Sequence, residues 1–561
     1  MITLKKKLIF VIGRECVSDL SAVARRFMEA FPELRKRINP INSPELIAPG
    51  KKTQSKTSTT TSGNLVILDQ FPIPQWLAIN SVIAREIANT LGASVRVFAF
   101  RRPTKYSSNV HLKFGLSDFI IIRLNLLILK KIRKEYLNVL SHLDSNKSLI
   151  EYRIDGIPIG LDIYESILRL GRATVSIADW QTYRVTYLAL KQYYYFENFF
   201  DSKRVLSVIV SHDNYVGPGL LAHMAFKYKV PVILANTISL SMPTEPFQLY
   251  RKFERFQIYA DSIPSTELKE GIFWAKAELE KRVSGAIGIG MNYQVKSAFT
   301  TTRIVRQTSN NNKTKIIVLT HDFFDNPHGY GRMLFADFYL WLEFLGNLSR
   351  ETSYDWYIKP HRDYSDIEFD ILKGFVSRYP HIQMVDPDTS YHQLKDEGVT
   401  FALTCYGSAG HELPLLGYTV INASYNPHIS YKFNIHATSV VNYESIIRNL
   451  PKYAFDDLNF EEVFEYYYLQ KKYLEQDSLM GISQSKLNEI GQGPHATERT
   501  IELLIAQRNE IEKATRKVFK NTIDNRLVFE FEKNLPAVAQ VKVELNATNA
   551  IFYEKLGVSL G

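Results

Sequence analysis

Cysteine is nearly absent: 561 residues hold only Cys16 and Cys405. Two thiols cannot build a disulfide framework, and their scarcity fits a reducing compartment. Long apolar runs are missing too. The longest, Phe119 to Leu129, is broken by Arg123 and Asn125, whereas a membrane-spanning helix needs ~20 apolar residues. The opening MITLKKKLIFVIGRE has lysines before a short apolar run but no small-residue cleavage site after it. It therefore reads as a first β-strand and not as a signal peptide. There is no Lys/Arg block, although 68 Lys and Arg against 58 Asp and Glu leave a formal net charge of +10. That balance welcomes nucleotides, phosphate or anionic lipid and does not single out nucleic acid. No G-x-x-x-x-G-K-S/T loop, H-E-x-x-H pair or G-x-S-x-G elbow occurs, which removes P-loop, zincin and serine-hydrolase chemistries.

What is present is an ordinary globular composition, 45% hydrophobic and 22% charged, in a chain too long for one core. Lys51–Gly63, KKTQSKTSTTTSG, reads as a polar mobile loop. After it, LVILD, VRVFAF, VLSVIV and VPVILA read as buried strands alternating with helical segments. This is the pattern of βαβ units and a parallel sheet. A second polar break, Gln307–Thr314, precedes another series: KIIVLTH, DWYIKPH, HIQMVDP, VTFALTCYG and YTVINAS. The expectation is α/β, with two Rossmann-like domains over 1–306 and 315–455 and a helical extension over 456–561. The KKIRKEY segment after Phe119–Leu129 reads as the basic, solvated end of a buried helix, or as a helix on a membrane surface.

Ligands of open α/β sheets bind beyond the carboxyl ends of the strands, so those positions carry the chemistry. YIKPHRDY puts Lys359 and His361 just past a strand, in reach of an anion. After VTFALT the chain reads CYGSAGHELPLLGYTVIN. There Gly407, Ser408 and Gly410 make a small-residue turn into a helix, whose free N–H groups suit a phosphate. Glu412, one turn in, is placed to accept from ribose hydroxyls. Tight packing of the glycines, and a helix-dipole role for Glu412, are the competing structural readings. His321, Asp322, Asp325, His328 and Arg332 crowd one loop. It matches no zinc framework and reads as a cleft loop with Arg332 on phosphate or carboxylate, or as an aspartate helix cap. In the first domain His212 and Asp213 follow a strand directly and are the best-placed general bases; an Asp cap is the rival reading. EYRIDGIPIGLDIYESILR offers Asp155, Asp162 and Glu165, with Arg169 nearby.

The run K-P-H, a downstream strand, then G-S-x-G-x-E-x-x-x-x-G-x-x-V resembles the donor half of GT-B glycosyltransferases. It is most similar to capsule polysaccharide biosynthesis proteins, the group that includes bacterial Kdo transferases. The resemblance covers roughly residues 315 to 450, with Arg362 where that family usually has Pro. It implies that His361 and Ser408 hold the nucleotide phosphate and that Glu412 lies near the ribose. The expected activity is glycosyl transfer from a nucleotide sugar, CMP-linked by resemblance, to a surface glycan or lipid-linked acceptor. Such an enzyme would need no cofactor or metal. It would work in the cytoplasm, peripherally at the inner face of the membrane, with no nucleic-acid partner. The rivals are a GT-B epimerase, a polyol-phosphate transferase on the same cleft, and a non-catalytic GT-B-like scaffold.

Overall fold

The computed structural model describes residues 63–70, 73–99, 110–122, 124–235, 240–243, 252–288, 297–299, 304–330, 333–361, 364–454, 458–473 and 496–524. The N-terminal strand expectation, the Thr/Ser-rich segment before Gly63, Arg332 and Arg362 lie outside these residues.

Two six-stranded sheets organise the described residues. The first joins β1 (Asn64–Asp69), β2 (Ser94–Ala99), β3 (Phe119–Ile121), β4 (Arg204–Val210), β5 (Val232–Ala235) and β6 (Leu240–Ser241) in the order β3-β2-β1-β4-β5-β6. All pairs are parallel except β5 with β6. The second joins β7 (Lys315–Leu319), β8 (Asp355–Lys359), β9 (Ile382–Met384), β10 (Val399–Thr404), β11 (Thr419–Asn422) and β12 (Ile435–His436) in the order β12-β11-β10-β7-β8-β9. It is parallel throughout. This is the doubly wound α/β architecture read from the alternation, and the continuous apolar runs of β1, β4 and β7 are buried because helices cover both faces.

In the first unit α1 (Pro74–Leu91) covers one face, with proline at its first position and Gly92 (φ 62°) closing it. The other face carries α2 (Leu126–His142), α3 (Ile159–Leu168), α4 (Trp180–Ser202) and α5 (Leu220–Lys227). The run Phe119–Leu129 is thus divided between β3 and α2. Asn125 makes the break: its Oδ1 accepts from the N–H of Ile128 at 2.9 Å and caps α2. Among the described residues no helix is long and apolar enough to cross a membrane.

The described residues of 252–306, expected in the first domain, pack with the second unit. They carry α6 (Phe256–Ser262) and α7 (Ser265–Val283), and Phe299 enters the core under β7, β8 and β10. The polar break is also tied down: Glu397 accepts from the N–H groups of Gln307 and Thr308 at 2.9 and 2.8 Å. An acceptor buried deeper in the second unit thus makes the start of this polar stretch part of the fold. In that unit α8 (Phe338–Ser349), α9 (Asp366–Arg378) and α12 (Val440–Arg448) cover one face, while α10 (Tyr391–Asp396) lies on the other and α11 (Ala409–Glu412) follows β10.

The helical C-terminus returns to both units. In α13 (Phe460–Tyr468), Tyr466 to Tyr468 are buried against α6 and α7. The QYYYF cluster of α4 likewise buries Tyr193 and Phe196. Both aromatic clusters are core. α14 (Ala496–Ala506) and α15 (Arg508–Asp524) lie on α1, burying Leu504 and Ile511 in the first core, with Arg85 and Glu512 paired at 3.0 Å.

Candidate functional site

A pocket of about 630 Å³ opens at the carboxyl edge of the second sheet, above β10, β7 and β8. Its size suits a small ligand such as a nucleotide. Lys359, His361, Gly407, Ser408 and Glu412 all line it, together with Thr320, His321, Tyr391 and Arg282. Thr320 joins two strand ends: its hydroxyl donates to the Lys359 carbonyl at 3.0 Å and accepts from the His361 N–H at 3.0 Å. That fixes the backbone from which the half-buried His361 projects. Lys359 is only 4% exposed, donating to the Pro387 carbonyl at 2.6 Å with its ammonium 5.8 Å from the Tyr391 ring centre.

The small-residue turn divides its labour. Gly407 sits at φ +124°, a backbone region closed to most side chains. The N–H groups of Gly410, His411 and Glu412 are bonded within the turn. Those of Gly407, Ser408 and Ala409 have no protein partner among the described residues, and all three residues line the pocket. Gly410 faces elsewhere: a Cβ there would overlap the His428 ring. Its packing reading prevails because α11 lies directly on that imidazole.

Glu412 does not present a free carboxylate. Oε1 accepts from Nε of Arg282 at 2.6 Å and Oε2 from the Ser408 hydroxyl at 3.0 Å, with Arg282 and Glu412 each 3% exposed. The expectation that it bonds ribose is corrected to an ion pair that anchors the turn to α7. Arg282, 130 positions upstream, carried no sequence signal, because a basic residue ending a helix reads as dipole compensation. His321 lies on Phe338 and faces Thr404 (3.0 Å) and the Cys405 N–H (3.2 Å). Desolvation, with His361 adding to it, holds its pKa down to about 3, so it is a neutral acceptor. His328 turns away to Glu165, so the loop gathers no ligand set, and no metal-binding group of three acids, histidines or cysteines occurs among the described residues.

Across the domain boundary, α3 meets the loop after β7. Tyr164 donates to Asp337 at 2.6 Å, His328 Nδ1 lies 3.3 Å from Glu165, and Arg169 lies 3.6 Å from Asp325. Because Asn214, just past β4, donates to Glu165 at 3.0 Å, the carboxyl edges of the two sheets face one another. Behind this contact Asp162 and His223 are paired at 3.1 Å, both about 1% exposed. Burial pushes Asp162 up to about 6 against the pull of His223. Burial opposes protonation of His223, but the adjoining Asp162 carboxylate turns its shift upward. A histidine on the apolar helix GLLAHMAFK was the one clue in the sequence, since a buried imidazole needs a partner. Asp213, 2% exposed, lies beside this pair. His212 packs between Trp76 (ring centres 4.8 Å apart, tilted) and Tyr215 (5.7 Å, edge-on); desolvation, then the Arg169 charge, pushes its pKa down to about 3. A ring that weakly basic is a poor general base. Asp155 does not join the group. It is exposed and held by Lys227 and Tyr193, each at 2.8 Å. Lys227 ends α5, which starts at the carboxyl edge and runs back, so Asp155 belongs to the far edge.

No family model matches the chain, and no curated protein does. Among solved structures it is similar to the UDP-GlcNAc 2-epimerase of Neisseria meningitidis bound to UDP-GlcNAc, at 11% identity and a TM-score of 0.23, over 72% of this chain and 97% of that one. It is also similar to MnaA of S. aureus with UDP, at 10% identity and a TM-score of 0.19, over 72% and 90%. Scores this low carry no argument about chemistry, and the two-sheet architecture rests on the strand order above.

Proposed function

We propose that the protein is a GT-B glycosyltransferase that takes a nucleotide sugar in the second-sheet pocket and passes the sugar to an acceptor held by the first unit. The observation that carries this reading is the meeting of His361, Lys359 and the open N–H groups of Gly407–Ala409 around one pocket at a sheet's carboxyl edge. Preorganised donors of this kind stabilise a departing phosphate better than water does. In this reading His361 and the turn hold the phosphate. Arg282 and Glu412 keep the turn in place and touch no substrate. Asp213 is the proposed base. The CMP-linked donor, the surface-glycan or lipid-linked acceptor and a peripheral position at the inner membrane face all belong to this proposal.

Asp213→Asn tests the role. Transfer should fall to background while nucleotide affinity, measured by calorimetry, stays near the parent value. Full activity would move the base to Asp162 or Glu165. A second reading, epimerisation of the same nucleotide sugar, is favoured by the two acid–imidazole pairs, Asp162–His223 and Glu165–His328. Removing and returning a carbon-bound proton uses two such groups, where transfer uses one. Sugar inversion without acceptor would decide for it.

A further inference from the structure

We propose that the outward face of α2 is a docking surface for an anionic lipid bilayer. Leu126, Lys130, Arg133 and Leu137 fall at i, i+4, i+7 and i+11, one stripe of the helix, with Leu127 and Lys134 alongside it. The three leucines are 64%, 75% and 59% exposed. Folding does not account for them, because the opposite face of α2 already buries Ile128, Leu129, Ile132, Tyr136 and Val139 in the first core. One exposed leucine is unremarked on any surface, but three sharing a stripe with cations form a patch. Lys130, Arg133 and Lys134 are exposed and make no ion pair among the described residues, while the neighbouring Lys131 is engaged by Glu197 at 2.9 Å.

Charge complementarity selects the occupant. Cations interleaved with leucines match the boundary where anionic headgroups meet acyl chains. Position agrees with it. β3 runs parallel to β2, so its chain leaves at the sheet's carboxyl edge, and α2 begins five residues later. Leu126 and Leu127 therefore stand at the edge that faces the second unit. A bilayer against them brings a lipid-linked acceptor beside the cleft, and in that purpose the inference rests on the proposed transfer.

The test is flotation of the full chain with phosphatidylglycerol–phosphatidylethanolamine vesicles and with phosphatidylcholine vesicles. Binding to the anionic set, weakened by salt, is expected. Lys130→Glu with Arg133→Glu and Lys134→Glu should lower partitioning by about two decades or more, since each cation near such a surface contributes about one kcal/mol. Leu126→Ser with Leu127→Ser and Leu137→Ser should also lower it. Circular dichroism and nucleotide affinity should stay at parent values in both variants. Failure of the parent to float, equal binding to both lipids, unchanged binding by either variant, or binding to heparin alone would each overturn the proposal. Nucleotide affinity is read separately, so a chain that floats but binds no nucleotide sinks the transferase reading and leaves the lipid surface standing.

Discussion

His361 and Glu412 line the same pocket, yet their side chains answer to different forces. His361 is half-buried on a backbone clamped by Thr320, so its removal should cost binding and not folding. A charge-assisted hydrogen bond is worth roughly 1.5–3 kcal/mol. His361→Ala should therefore weaken nucleotide binding by about one to two decades, with an unchanged melting curve; parent affinity in that variant would remove His361 from the site. Asp162 gives a pH signature. Its folded pKa, near 6, is raised above the ordinary value near 4, so the stability tied to its proton is full below about pH 4 and is lost as pH rises through about 6. His223, also shifted upward, adds loss in the same direction above its own ordinary range. Between acid and neutral pH the parent's urea midpoint should thus fall relative to that of Asp162→Asn. Midpoints that move together across the range would show that the pair holds no shared proton.

Among the elements, α7 and α11 are joined by a buried ion pair of high consequence. Arg282 and Glu412 are taken out of water together, and such a pair is tolerated only while both members are present. Glu412→Gln keeps the shape but strands the guanidinium, and should destabilise the second unit by about 3–5 kcal/mol in denaturant unfolding. This reverses the simpler expectation that Glu412 acts on ligand without supporting the fold. A loss confined to nucleotide affinity, with stability intact, would restore the ribose role. α9 offers a contrast, because its start is encoded locally: Ser365 and Glu368 form a capping box that requires no distant partner.

At the scale of the molecule the two sheets are held by chain that crosses between them. α3 of the first unit grips the loop after β7 through Tyr164, Glu165 and Arg169, and α14 and α15 return from the C-terminal side to cover α1. Truncation after residue 473 should uncover the face of α1 that meets Leu504 and Ile511. Burying one such side chain is worth about 1.5–3 kcal/mol, so the first unit should melt at lower temperature while nucleotide affinity changes little. Equal melting of the truncated and full chains would mean that these helices add nothing to the first core.

The strands β1, β2, β4, β5 and β7 to β11 were legible in the sequence, because burial on both faces demands unbroken apolar runs; β3, β6 and β12, two or three residues each, were not, and β3 was hidden in a run that reads as helix. The turn at Gly407–Ser408 and the placement of Lys359 and His361 were legible as well: a strand end is a local feature with a known direction. The partners were not. Glu412 reads as a ribose acceptor until Arg282 is seen beside it. Asp155 and Asp162 read alike until one lies on the far edge and the other against His223. Polar Gln307 and Thr308 read as linker until Glu397 supplies their acceptor. Each of these was decided by a contact between residues 61 to 130 positions apart. Desolvation and pairing energies depend on that contact, and no local pattern encodes them.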